Sequence, residues 1–187
     1  MKYNMKDDIL HILLSAEEID AKIQEIAEQI TKDYENKNLL MVSVLKGSVV
    51  FMADLMRAIK IPARIDFMSV SSYGKGTASS GIVKIIKDLD IPLEGYDLLL
   101  VEDILDSGKT LHYLMEVLGA RNPKSIRICT LFDKPERREA EVSPTYVGAR
   151  IPDAFIVGYG LDYAGKYRNL PFVGVLKPQV YGEPVEK

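Results

Sequence analysis

The spacing of hydrophobic residues predicts a long amphipathic helix near the start of the chain. From Ile19 to Tyr34, hydrophobic side chains recur at three- and four-residue steps, the period of a helix with one buried face. Ser15 and Glu18 have the spacing of a capping box, in which each side chain bonds the other residue's backbone amide. We therefore expect the helix to begin just after Ser15 and to pack one face on a core.

Short apolar runs further along the chain predict strands that alternate with helices. The run at 39–45 has strand length, ends in a turn at Lys46-Gly47 and precedes a helical stretch at 49–59. Two more strands are predicted at 63–70 and 82–86. The polar, glycine-rich residues between these two strands form either a plain hairpin loop or a mobile flap over a site.

The strongest strand signal comes after residue 97. Leu98-Leu99-Leu100-Val101 is fully apolar, as expected of a central strand covered on both faces, and we expect it to end at Glu102-Asp103. A helix at 109–119 and a strand at 125–132 complete a crossover unit, whose strands should be parallel. Shorter strands are predicted at 146–149, 155–157 and 172–176. This order of elements predicts an α/β fold with a central, mostly parallel sheet flanked by helices.

Composition and charge narrow the class of protein. The 187 residues are 47% hydrophobic and 27% charged, as in one folded globular domain. The 24 basic and 27 acidic residues give a net charge of −3, which argues against nucleic acid or a membrane surface as a partner but leaves room for a small anion. Cys129 lies in an apolar run and is interpreted as a buried thiol in a reducing compartment. Because no apolar stretch is long enough for a signal peptide or a membrane span, we expect a cytoplasmic protein.

The turn that follows the central strand has the composition of a phosphate site. Ser107, Gly108 and Thr110 offer backbone amides and hydroxyls, and Lys109 adds a positive charge. The turn also opens a helix, whose N-terminal dipole favours an anion. A Walker A loop is rejected, because the position at which that loop requires glycine is Asp103, and an acid there would repel a triphosphate.

Three acidic residues, Glu102, Asp103 and Asp106, crowd the mouth of this turn. Such a cluster calls for a compensating cation or for sugar hydroxyls as partners. Carboxylates together with phosphate oxygens are the usual ligands of Mg²⁺. A ligand that carries ribose hydroxyls, a phosphate and Mg²⁺ would satisfy all three side chains together.

The run Val101-Glu102-Asp103-Ile104-Leu105-Asp106-Ser107-Gly108-Lys109-Thr110 resembles the phosphoribosyl-diphosphate (PRPP) binding motif of type I phosphoribosyltransferases. Further segments at 44–47, 72–74 and 152–163, with 167–171, are similar to those of bacterial hypoxanthine-guanine phosphoribosyltransferases. The resemblance covers roughly residues 39–178. It implies the type I phosphoribosyltransferase fold over 1–187 as a single domain, with a core at about 39–150 and a small hood subdomain made from the N-terminal and C-terminal segments.

The resemblance implies that the acidic residues bind ribose and metal. Glu102 and Asp103 would hold the ribose 2- and 3-hydroxyls and, directly or through water, Mg²⁺. Asp162 would hold a second Mg²⁺ and lie near the purine, and the turn 106–110 would hold the 5-phosphate. The implied cofactor is therefore Mg²⁺.

The resemblance also implies a pyrophosphate site and a flap. Lys46 and Gly47 would bind pyrophosphate, in this family commonly with a non-proline cis peptide after Leu45, and Arg168 would bind it as well. A flap that carries Ser72 and Tyr73 would close over the reacting centre. The family tends to form dimers and tetramers, so a homodimer or homotetramer is expected.

The residues and the resemblance agree on the base. Lys134 is a donor with no acceptor capacity, so it suits a purine with oxygen at position 6 and cannot satisfy a 6-amino group in the same way. Phe155 offers a ring for stacking, and Ile156 can present its backbone to the base edge. Asp106 is the candidate general base for the purine proton at N7.

The resulting hypothesis is a Mg²⁺-dependent transfer of phosphoribosyl from PRPP to N9 of hypoxanthine or guanine, which gives IMP or GMP and pyrophosphate in purine salvage. Two alternatives stay open. A related enzyme could prefer xanthine, because no side chain decides the 2-position of the base. PRPP-motif proteins also act as RNA-binding regulators of pyrimidine synthesis, for which no basic run longer than Arg137-Arg138 gives support.

Overall fold

The structure is a computed structural model that describes residues 4–72 and 83–182. The α-helices are α1 (Ala16–Asp33), α2 (Val49–Ala58), α3 (Lys109–Gly119) and α4 (Pro178–Tyr181). The strands are β1 (Ile9–Leu14), β2 (Leu39–Leu45), β3 (Ala63–Ser72), β4 (Val83–Lys87), β5 (Asp97–Leu105), β6 (Ser125–Asp133), β7 (Tyr146–Arg150), β8 (Ile156–Val157) and β9 (Val173–Leu176). Short 3₁₀ helices span Met5–Asp8 and Pro135–Arg137.

The main sheet has six strands in the order β4-β3-β2-β5-β6-β7. All of its neighbouring strands are parallel except β4, which runs antiparallel to β3. The prediction of a mostly parallel α/β sheet is therefore confirmed. β2 and β5 are adjacent, with Ser43 opposite Val101, so the turns that follow these two strands meet at one edge of the sheet.

Helices cover both faces of this sheet. Successive residues of β5 point to opposite faces, so Leu99 packs with α1 and α2 on one side, while Leu100 packs with α3 on the other. Helix α1 begins as predicted: Ser15 Oγ accepts a hydrogen bond from the Glu18 amide at 3.2 Å, and the Glu18 carboxylate accepts one from the Ser15 amide at 2.7 Å. The buried residues of α1 are Ile19, Ile23, Ile26, Ala27 and Ile30.

A second, antiparallel sheet joins the two ends of the described chain in the order β1-β9-β8. Ile9 of β1 lies opposite Leu176 of β9, and Ile156 of β8 lies opposite Val175. The sequence analysis did not predict β1. This strand is defined by pairing with residues near the other end of the chain, and local spacing does not reveal such pairing.

Several predicted strand bounds differ from the observed ones by one to four residues, and two of these differences concern candidate site residues. β5 continues through Glu102 and Asp103 to Leu105, because this segment keeps its pairing with Thr130, Phe132 and Asp133 of β6. Phe155 lies just outside β8 rather than within the strand. None of the helices in residues 4–72 and 83–182 combines the length and hydropathy that a membrane span requires.

Candidate active site

A cavity of about 290 Å³ lies at the carboxyl edge of the main sheet. It is bounded by the turn after β2 and by the segment that runs from β5 into α3. Of the residues predicted to bind phosphate, ribose and metal, it brings together Lys46, Gly47, Glu102, Asp103, Asp106, Ser107, Gly108 and Thr110. Residues that are distant in sequence line one cavity because their strands are neighbours in the sheet.

The Lys46-Gly47 turn packs tightly against β5. A Cβ atom on Gly47 would lie 1.8 Å from Asp103 Oδ2, and a Cβ atom on Gly160 would lie 2.1 Å from the Gly47 carbonyl oxygen. Only glycine at both positions allows this close approach. The peptide bond between Leu45 and Lys46 is cis, as the resemblance implied.

The acidic pair on β5 is poorly solvated. Asp103 is 8% exposed, and burial raises its pKa to about 6, although hydrogen bonds from backbone amides oppose the rise. Burial also raises the pKa of Glu102, and the neighbouring charge of Asp103 adds to this effect. A cation or a hydroxyl-bearing ligand in the cavity would stabilise both groups in the ionised form.

The turn into α3 has a backbone suited to an anion. Gly108 has a φ of +82°, in the left-handed region, and a Cβ atom there would lie 2.6 Å from the side chain of Val142. The turn is held from outside, because the amides of Glu139 and Ala140 both donate to the Ser107 carbonyl, at 2.9 and 3.1 Å. The first amides of α3 have no acceptor within the helix and are available to a phosphate.

Lys109 was predicted to add positive charge to this turn, but its side chain is paired with Glu139 and does not line the cavity. Its Nζ lies 2.5 Å from Glu139 Oε2, and Lys109 is not among the described residues that line the cavity. Its contribution to phosphate binding through the side chain would require that ion pair to break.

Arg168 and Asp162 belong to a loop that packs on the Lys46-Gly47 turn. Arg168 donates to the Gly160 carbonyl at 2.6 Å, and its guanidinium lies 2.6 Å from Asp162 Oδ1. Arg168 lines a neighbouring cavity of about 390 Å³ rather than the first one. Its predicted contact with pyrophosphate therefore stays a prediction.

A larger cavity, of about 620 Å³, contains the residues predicted to bind the purine. Those residues are Lys134, Phe155, Ile156 and Asp162. Lys134 is only 7% exposed, and its Nζ donates to the Ala154 carbonyl at 2.7 Å. Asp106 and Ile104 line this cavity as well as the first, so the phosphate turn and the candidate base site adjoin at Asp106.

The sequence did not predict several residues that line the larger cavity of about 620 Å³. Arg137 Nε lies 3.0 Å from Asp106 Oδ1, and its Nη1 lies 3.2 Å from Asp153 Oδ1. The contact with Asp106 is an ion pair without a well-directed hydrogen bond, because Oδ1 accepts none from the described residues. Arg137 was noted only as part of a basic dipeptide. Leu161, within the segment 152–163, also lines the cavity, as does Tyr181, which no local signal identifies.

The donor set suits a metal ion that is shared with a substrate. Within residues 4–72 and 83–182, no group of three or more His, Cys, Asp or Glu side chains is arranged to hold a metal. Glu102, Asp103 and Asp162 thus form no closed protein cage. Glu102 and Asp103 line the first cavity, and Asp162 lines the larger one. Carboxylate oxygens that are open to a ligand in this way fit Mg²⁺, which keeps several waters and takes further ligands from phosphates.

The predicted flap falls mostly outside the described residues. Ser72 is the last residue of β3, and Tyr73 lies outside the described ranges.

Comparison with known proteins shows which protein family the chain belongs to. Residues 12–164 match the family model described as the phosphoribosyl transferase domain, so the chain belongs to this family. The similar relatives include the hypoxanthine-guanine phosphoribosyltransferase of Bacillus subtilis, 55% identical over 177 residues that cover 95% of this chain and 98% of that protein. The Streptococcus pyogenes serotype M3 enzyme of the same name is 54% identical over 179 residues, 96% of this chain and 99% of the relative. A crystal structure of a hypoxanthine phosphoribosyltransferase from Staphylococcus aureus matches with a TM-score of 0.94 and 50% identity, covering 98% of this chain and all of that one.

Proposed function

We propose that the protein transfers the 5-phosphoribosyl group of PRPP to N9 of hypoxanthine or guanine and releases pyrophosphate. The observation that carries the proposal is the junction of the two cavities at Asp106. One side of the junction offers the phosphate turn and two carboxylates, and the other offers Lys134 and Phe155. A phosphoribosyl group on one side and a purine on the other would thus meet beside a carboxylate. The names of the relatives support the same reaction.

In the proposed reaction the bond between ribose C1 and the pyrophosphate oxygen breaks, and the bond between C1 and N9 forms. The amides of the 106–110 turn would hold the 5-phosphate and fix the ribose. Lys46 and Arg168 would stabilise the negative charge that grows on the departing pyrophosphate. Asp106 would accept the proton that the purine loses, at N7.

Mg²⁺ is the proposed cofactor: Glu102 and Asp103 would hold one ion, directly or through water, and Asp162 would hold a second, each together with substrate oxygens. When bound, it would neutralise the negative charge of the diphosphate. The carboxylates on β5 would also accept hydrogen bonds from the ribose hydroxyls. Their burial favours such a partner, because an unpaired charge in this position costs free energy.

Lys134 is proposed to recognise the group at position 6 of the purine. Its ammonium group has donors and no acceptor, so it would bind a 6-oxo group and leave a 6-amino group unpaired. Its Nζ lies 2.7 Å from the Ala154 carbonyl and 3.8 Å from Asp153 Oδ1, which together hold the group at the cavity wall. Ile156 would offer its backbone to the base edge.

The cytoplasmic location and the homodimer or homotetramer stay predictions. Xanthine remains the competing base, since it differs from guanine only at position 2. The proposed reaction involves no nucleic-acid partner.

The experiment is detection of the nucleotide product by chromatography after the purified protein is mixed with PRPP and one base at a time. We expect IMP from hypoxanthine and GMP from guanine when Mg²⁺ is present, and neither product when EDTA replaces it. Retention of a radiolabelled RNA in a gel shift, with no nucleotide formed from any base, would instead favour the regulatory alternative.

A further inference from the structure

We propose that Tyr181, in the C-terminal helix α4, is a positioning residue of the base site. Its ring stacks on Phe155 and holds that side chain in the orientation on which a purine would stack. This inference rests on the proposed function, because it assumes that Phe155 binds the base.

The ring geometry is the first observation. The rings of Tyr181 and Phe155 are stacked, with centroids 4.8 Å apart and an interplanar angle of 19°. Tyr163 meets the same Phe155 ring edge-on, at 5.5 Å and 89°. Aromatic pairs with such geometry gain stability beyond the area that they bury, so the two tyrosines restrict how the Phe155 ring can rotate.

The backbone brings Tyr181 to this position. The Leu176 amide at the end of β9 donates to the Phe155 carbonyl at 2.8 Å, so the chain passes directly beside Phe155 just before α4 begins. Lys177 then anchors the turn to the N-terminal segment, with its amide 2.9 Å from the Asp8 carbonyl and its Nζ 2.6 Å from the Asp7 carbonyl. The short helix carries the Tyr181 ring back over Phe155.

The side chain of Phe155 is partly exposed, and its ring contacts with the two tyrosines restrict its orientation. It lies outside β8 and is 40% exposed even though Tyr181 and Tyr163 contact it. It also lines the 620 Å³ cavity, in which Ile104 and Lys134 are further wall residues. A purine that enters this cavity can stack on the area of the Phe155 ring that the tyrosines leave open.

If Tyr181 only positions Phe155, its replacement should change the KM for the purine base and leave the other kinetic constants nearly unchanged. With Tyr181→Ala, we expect KM for guanine at saturating PRPP to rise about three- to tenfold, the factor that corresponds to the usual strength of one aromatic pair. Because Tyr181 does not line the cavity that holds the phosphate turn, KM for PRPP at saturating guanine and kcat should stay within about twofold. Tyr181→Phe keeps the stacked ring and should restore the wild-type KM, whereas Tyr181→Leu keeps apolar volume without a flat face and should not.

Tyr96→Ala is the matched control. Tyr96 is a half-buried tyrosine just before β5, at the opposite end of that strand from Ile104, which lines the cavity, and the centre of its ring lies 5.7 Å from the Arg64 guanidinium carbon. It should lower the melting temperature without altering KM for guanine. This control separates a loss of stability from a loss of ring positioning.

Three results would overturn the inference: an unchanged KM for guanine in Tyr181→Ala, a lower one, which would mean that Tyr181 blocks the base, or equal increases in KM for guanine and PRPP. The wild-type protein is assayed first. If it makes no nucleotide, the proposed function fails; if it does and Tyr181→Ala matches it, only the role of Tyr181 fails.

Discussion

Replacing Asp103 with asparagine tests how much stability the folded protein loses by burying a charge for its ligand. Burial raises the pKa of Asp103 from 3.8 to about 6. At about 1.4 kcal/mol for each tenfold change in an ionisation equilibrium, this difference corresponds to about 3 kcal/mol. An uncharged amide that keeps the hydrogen bond from the Ile104 amide, 2.9 Å from Asp103 Oδ1, removes that cost.

The pH dependence gives the prediction its sign. An acid whose pKa is higher in the folded state binds more protons when folded. Below about pH 4, Asp103 is protonated in both states, and the folded protein has its full stability because no charge is buried. Part of this stability is lost as the pH rises from about 4 to about 6, and it stays lost at neutral pH. The asparagine variant does not undergo this loss. Its advantage should therefore be about 3 kcal/mol at pH 7.5 and less than about 1 kcal/mol at pH 4.

The assay is urea unfolding of both proteins in EDTA at the two pH values, with the melting temperature as a second measure. At pH 7.5 we expect the melting temperature of Asp103→Asn to rise by roughly 6–12 °C. Its nucleotide synthesis should nevertheless fall sharply, because the proposed ribose and metal ligand is lost. Glu28→Gln, at an exposed position of α1, is the control and should change neither property. If Asp103→Asn were no more stable than the wild type at pH 7.5 without metal, the reasoning about the buried carboxylate would be refuted.

The remaining predictions concern Asp106 as the proposed general base, Lys134 as the residue that recognises the purine, and the start of α1. Asp106→Asn should lower kcat by about 10²- to 10⁴-fold with KM for PRPP nearly unchanged, and unchanged turnover would remove Asp106 from its role. Lys134→Gln supplies an acceptor as well as a donor, so the ratio of kcat/KM for guanine over adenine should fall; untouched guanine and hypoxanthine kinetics would contradict the assignment. Ser15→Ala removes the capping hydrogen bond that the Glu18 amide donates and should lower the free energy of unfolding by about 1 kcal/mol, measured by urea titration, with activity unchanged.

Local patterns predicted most of the main sheet. The capping spacing of Ser15 and the apolar run that ends at Val101 depend on neighbours in sequence, and both predict elements that the structure contains. The run of polar residues after each strand also led to the turns that line the first cavity. These features follow from the period of a helix or a strand, which a sequence displays directly.

Contacts between distant segments were beyond local reasoning. The β1 strand exists because β9 pairs with it, and β5 extends past Glu102 because β6 continues beside it. The ion pair of Arg137 with Asp106 and the stacking of Tyr181 on Phe155 likewise join residues that only the fold brings together. The sequence contains the residues of these pairs without any spacing that links them.

The central claim is that the two cavities joined at Asp106 bind PRPP and a 6-oxopurine for phosphoribosyl transfer. The most direct test is kcat/KM for hypoxanthine, guanine, xanthine and adenine, measured side by side with the wild-type protein, saturating PRPP and Mg²⁺. We predict efficient turnover of hypoxanthine and guanine, and kcat/KM for adenine lower by about 10²-fold or more, because Lys134 cannot accept a hydrogen bond from a 6-amino group. A higher kcat/KM for xanthine than for guanine would reassign the preferred base. Equal turnover of adenine and guanine, or no turnover of any base, would contradict the account.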